Sequence, residues 1–126
     1  MFMPKTGDSF VVELKEAHLN WGTHRYTNSR DQIDGEGYIQ IPANIAYSLG
    51  ISNGSVYNCT SSDGQYNHPL RASGNQSDPR YAKQFQSDGN LKLLGGWLHQ
   101  VCNARVGDRV KVRWTSPNDI IITYIP

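Results

Sequence analysis

The chain reads as short apolar stretches separated by polar, glycine-rich punctuation. Phe10, Val11, Val12 and Leu14 make a β-rich run, predicted to continue toward Leu19. Ile39 and Ile41 alternate with Tyr38 and Gln40 as a second strand. Pro42 then presets the first helical position of a two-turn helix over 43–49. Gly50 is expected to cap that helix, with Ile45 and Leu49 facing the core. Runs 55–60 and 65–70 flank Asp63 and Gly64, a hairpin signal, and Pro69 confines the second run to an edge or a bulge. A strand over 81–86 is predicted to put Tyr81, Lys83 and Phe85 on one side. Leu94, Trp97, Leu98 and Val101 follow at helical spacing, interrupted near the start by Gly95 and Gly96. Val110, Val112 and Trp114 alternate with Arg109, Lys111 and Arg113, and a run over 120–125 closes the chain. The sum is a mainly β architecture: a seven-stranded open barrel with two short α-helices.

Two polar segments interrupt this pattern, residues 20–37 and 71–84. The first has no helical or strand-like apolar period and is too long for an idle hairpin loop. Both hold the side chains that read base edges: Arg for guanine, Asn and Gln for adenine, Asp for the cytosine amino group. Arg25, Asn28, Arg30 and Asp31 in the first segment are the leading candidates, with Arg71, Asn75, Gln76 and Lys83 in the second. His24, Ser29, Ser73, Arg80 and Gln84 stand behind them. Arg109, Lys111 and Arg113 fit either phosphate support or a solvated strand face.

Composition narrows the classes. The 126 residues suit one domain, and the apolar share is 37%. Twelve Lys and Arg oppose eleven Asp and Glu, a formal charge of +1, which excludes a uniformly basic polycation. Positive charge is instead local. Residues 65–92 carry four Lys and Arg against two acids, and 103–114 carry four against one, as phosphate attraction requires. No apolar run reaches membrane-spanning length, and no leader-like segment opens the chain. A soluble intracellular domain is the default expectation, under which the three N-x-S/T sequons at Asn53, Asn58 and Asn75 read as chance.

Candidate chemistry is thin. Cys59 and Cys102 make no disulfide framework and lack metal-ligand neighbours at useful spacing. His18, His24, His68 and His99 lie far apart in sequence. Glu13, Lys15 and Asp8 only faintly resemble a metal-dependent nuclease set, with little chain before them to frame it. No cofactor and no catalytic residue is assigned.

The order of motifs adds a resemblance. Gly37-Tyr38-Ile39-Gln40-Ile41-Pro42, the short helix to Leu49 and Gly54-Ser55-Val56-Tyr57 resemble the first half of a B3-like DNA-binding domain. Gly96-Trp97-Leu98-His99-Gln100-Val101 followed by Arg105-Val106-Gly107-Asp108-Arg109-Val110 is similar to the second half. That resemblance implies a seven-stranded DNA-binding pseudobarrel whose two arms grip the major groove like a wrench. The arms fall on the two polar segments. Bacterial members serve as effector or target-recognition domains of restriction endonucleases, and plant members as transcription-factor domains.

The reading is therefore sequence-specific binding of double-stranded DNA without chemistry in this domain. The resemblance implies a bacterial, cytoplasmic protein with no membrane partner, monomeric as an isolated domain and linked covalently to a nuclease domain. The competing reading is a carbohydrate- or protein-binding β-barrel using Trp21, Tyr26 and Tyr81.

Overall fold

A computed structural model describes residues 4–15, 37–90 and 92–126. Seven strands occur among them: β1 (Ser9–Glu13), β2 (Ile39–Gln40), β3 (Val56–Ser61), β4 (Leu70–Ser73), β5 (Gln84–Ser87), β6 (Arg109–Ser116) and β7 (Asp119–Ile125). They form one sheet in the order β1-β6-β7-β3-β4-β5-β2. The sheet curls into a nearly closed barrel with an unsealed seam between β1 and β2. All neighbours are antiparallel except β3 and β7, which run parallel with Asn58 beside Asp119.

Strict alternation builds the wall. On β6, Val110, Val112 and Trp114 are fully buried, while Arg109, Lys111 and Arg113 point outward. Phe10 and Val12 of β1 pair with Val112 and Val110 and enter the same core. At its centre Trp114 meets Tyr57 edge-on at 5.6 Å and Phe85 at 6.3 Å between ring centroids. Truncating a buried ring such as Phe85 to Ala costs about 3–5 kcal/mol.

Helix α1 (Ala43–Leu49) buries Ala46, with Ile45 and Leu49 packed partly against the core. Pro42 stands just before the helix, at φ −60° and ψ 147°, one position earlier than the sequence pattern suggests. Gly50, at φ 75°, caps the helix through its N–H to the Ala46 carbonyl. Helix α2 (Lys92–Gly96) widens at Trp97 into a π-helical turn (Trp97–Val101). The wider pitch keeps Leu94, Trp97 and Leu98 inside but turns Val101 outward, to 47% exposure.

Two strand assignments shift. The strand after the Asp63-Gly64 turn begins at Leu70, beyond Pro69, because Pro lacks the N–H a ladder needs. The strand expected over 81–86 starts only at Gln84, so Lys83 is exposed while Phe85 is buried. Tyr81 instead makes an isolated bridge with Ser52.

Candidate nucleic-acid interface

The connection between β4 and β5, residues 74–83, is built by its turn residues. Gly74 leaves β4 at φ +74°, a conformation that penalises any residue with a Cβ. Asp78 receives the Arg80 N–H on its own carboxylate at 3.1 Å, and its carbonyl accepts from the Tyr81 N–H at 3.1 Å. Pro79 between them presets the turn. The back of this arm is tied down. Asn53 N–H donates to the Arg80 carbonyl at 2.9 Å, Ala82 N–H to the Ile51 carbonyl at 3.1 Å, and Tyr81 meets Tyr47 of α1 edge-on at 4.9 Å.

Polar side chains divide between holding the arm and facing solvent. Gln76 Nε2 donates to the carbonyls of Ile41 at 2.8 Å and Ala82 at 3.1 Å, so its donors brace the arm base. Asn75 Oδ1 accepts from Asn53 Nδ2. Arg80 chelates Asp78 through Nε and Nη2, at 2.6 Å for the closest approach, and lies 5.7 Å from the Tyr81 ring centre. That hydrogen-bonded pairing lowers the Asp78 carboxyl below its ordinary value and raises the Arg80 guanidinium.

Arg71 and Ser73 sit on β4 itself rather than in the arm. Arg71 Nε donates to Asp88 at 2.9 Å, and Ser73 Oγ to Gln86 Oε1 at 3.1 Å. Lys83 is exposed and makes no ion pair among the described residues. Gln84 faces outward from β5, with Ser73 opposite it on one side and Gln40 of β2 on the other. Gln86 stands opposite Arg71 in the same way.

The outer face of β2, β5 and β4 is therefore a polar strip of Gln40, Gln84, Gln86, Ser73 and Arg71, with the arm at one end. Gln40 and Gln86 are missing from the sequence-derived candidates. Their signal was present, since each alternates with a buried neighbour, Ile39 and Phe85. Of the earlier candidates, Arg71, Ser73 and Gln84 lie on this strip, and Asn75, Gln76, Arg80 and Lys83 lie in the connection at its end. His24, Arg25, Asn28, Ser29, Arg30 and Asp31 lie outside the described residues.

Strand direction locates the flanks of that first segment. β1 ends at Glu13 beside Arg109, where β6 begins, and β2 enters at Ile39 and ends at Gln40, toward the arm. Lys15 and Gly37 thus stand at the end of the barrel opposite to residues 74–83, with the polar strip between. Arg109, Lys111 and Arg113 do not share this face. Their strand, β6, lies three positions from β4, and β1 and the seam separate it from β2.

The described nucleophiles are quiet. Burial pushes the Cys59 thiol up to about 12, and burial with the nearby Asp63 carboxylate does the same for Cys102, so both stay protonated at neutral pH. Among the described residues no three of His, Cys, Asp and Glu gather as metal ligands, and no helix is long and apolar enough to cross a membrane.

Comparison with known proteins finds a DNA-binding family and a shared fold. A family model described as the NgoFVII C-terminal B3-like DNA-binding domain matches residues 5–117. The solved N-terminal domain of Helicobacter pylori LlaJI.R1 shares the fold, with a TM-score of 0.59 at 10% identity over 94% of this chain and 88% of that one. No curated protein matches the sequence.

Proposed function

The chain belongs to the NgoFVII C-terminal B3-like DNA-binding domain family of restriction enzymes, and from that premise we propose that it reads a specific sequence in the major groove of duplex DNA. The observation that carries this reading is the polar strip on β2, β5 and β4, bounded at one end by the arm 74–83. Its glutamines and Ser73 supply base-edge hydrogen bonds, while Lys83 and Arg71 attract phosphates. Residues 20–37 act as the second arm, with Arg25, Asn28, Arg30 and Asp31 as readers and His24 and Ser29 beside them. Asn75 and Arg80 contact DNA from the first arm. Gln76 supports that arm and keeps only its Oε1 for a ligand.

The domain positions DNA and leaves cleavage to a covalently linked nuclease domain, in a bacterial cytoplasm and as a monomer when isolated. Affinity selection from a random duplex library, followed by a salt series on the winning site, tests the function. The expected result is one enriched motif whose log affinity falls linearly with log salt, by about 0.9 per phosphate neutralised. A library without enrichment, or binding indifferent to salt, overturns the proposal.

A further inference from the structure

Beside the arm base lies a cleft of about 270 Å³ lined by Gln40, Ile41, Ala43, Gln76, Lys83 and Gln84. Ile41 N–H donates to the Lys83 carbonyl at 2.8 Å. Pairs alternate along an antiparallel ladder, so the adjacent Gln40–Gln84 pair is the kind without mutual hydrogen bonds, whose Cα atoms stand about 4.5 Å apart and whose side chains lie closest. Both glutamines are half-buried, and neither carboxamide has a hydrogen-bond partner among the described residues. Among the described residues no carboxylate lines the cleft, and the one charge they bring is the Lys83 ammonium.

Half-buried carboxamides held side by side without partners favour a ligand edge that offers a donor and an acceptor together. Among base edges in the major groove, adenine presents that pair at N6 and N7. Guanine presents two acceptors and suits Arg or Lys, while cytosine presents a lone amino group and suits a carboxylate. Resting on the DNA reading above, we infer that Gln84 is the adenine-reading residue of this domain. Gln40 is its positioning neighbour, and Lys83 lies on the adjacent phosphate.

The test uses the full chain with its selected duplex. Each adenine of the site is replaced in turn by 7-deaza-adenine, which lacks the N7 acceptor. Wild-type affinity should fall about tenfold at one position. The Gln84→Ala variant should show no such penalty there, while binding unrelated duplex with the wild-type salt slope. Gln84→Glu, an acceptor only, should shift selection at that position toward cytosine. A Gln84→Ala protein that keeps the full penalty, or a selected site indifferent to every 7-deaza substitution, overturns the assignment and leaves DNA recognition standing. Failure of the wild-type chain to select any site removes the broader reading as well.

Discussion

Asn53 donates its side-chain amide to the Oδ1 of Asn75 at 2.6 Å, fastening the exposed arm between β4 and β5 to the segment that follows α1. The same Asn53 donates its backbone N–H to the Arg80 carbonyl. Asn75 therefore keeps its own amide donors for a ligand while its oxygen is engaged. Replacing Asn75 by Ala removes a reader, whereas Asn53→Ala removes only the clip. We expect Asn75→Ala to weaken the selected duplex about tenfold and unrelated duplex by no more than about twofold. Asn53→Ala should keep more of the discrimination. Anisotropy titrations on matched and singly mismatched duplexes decide it, and equal loss on both from Asn75→Ala would count against its role as a reader.

Arg71 and Arg80 lie on the proposed DNA side of the domain already paired, with Asp88 and Asp78. Exposed pairs of this kind contribute little to folding but mask charge. Asp78→Asn and Asp88→Asn should each free a guanidinium, tighten binding to unrelated duplex and steepen the salt slope by roughly 0.9. Titrations at several salt concentrations check this. A slope unchanged in both variants would mean that these arginines never reach a phosphate.

Gly74 packs against the stem of Lys83. A Cβ there would lie 3.3 Å from Lys83 Cγ, and the backbone sits at φ +74°. Gly74→Ala combines left-handed strain of about 1–2 kcal/mol with displacement of that lysine. A lower urea midpoint is expected together with weaker DNA binding. A Gly74→Ala protein as stable as wild type would contradict the strained turn.

Asp63 links the β3–β4 turn to the second helical segment. It accepts from the Ser61 hydroxyl, from the Gln65 N–H at 2.9 Å and from the Trp97 indole at 3.1 Å. Burial pushes its carboxyl upward, yet these hydrogen bonds outweigh burial and hold it below the ordinary carboxylate value. A carboxyl depressed in the folded state stabilises the fold fully above its unfolded pKa, about 3.9, and that contribution disappears as pH falls through the lower folded value. Stability should therefore decline below about pH 4, and Asp63→Asn should flatten its share of the decline. Urea unfolding at a series of acidic pH values measures this. Identical pH profiles for wild type and Asp63→Asn would refute it.

How much was legible in advance depends on the range of the signal. Residues 109–114 declared a half-buried strand because alternation with period two is written locally, and each inward residue is buried as expected. The helix over 43–49 and its Gly50 cap were equally local. Val101 escaped because widening of the helix at Trp97 changes the period from within. Period two along the chain sets Lys83 and Phe85 on one side, but the start of β5 is set by its partners, not by its own residues. Gln40 is visible as an outward residue, but nothing along the chain makes it the neighbour of Gln84, some forty positions later.

The amino-acid pattern alone determined the strand-rich class, the polar segments and their base-reading composition, because those follow from short-range alternation, turn chemistry and residue type. Only the tertiary structure decided which polar groups are free and which are spent: Gln76 on backbone carbonyls, Arg80 on Asp78, Gln40 and Gln84 side by side at a cleft. It also set the β6 cations three strands from β4. The physical reason is that lateral strand register and barrel closure come from contacts between distant residues, and hydrogen-bond capacity is allotted only once those contacts exist.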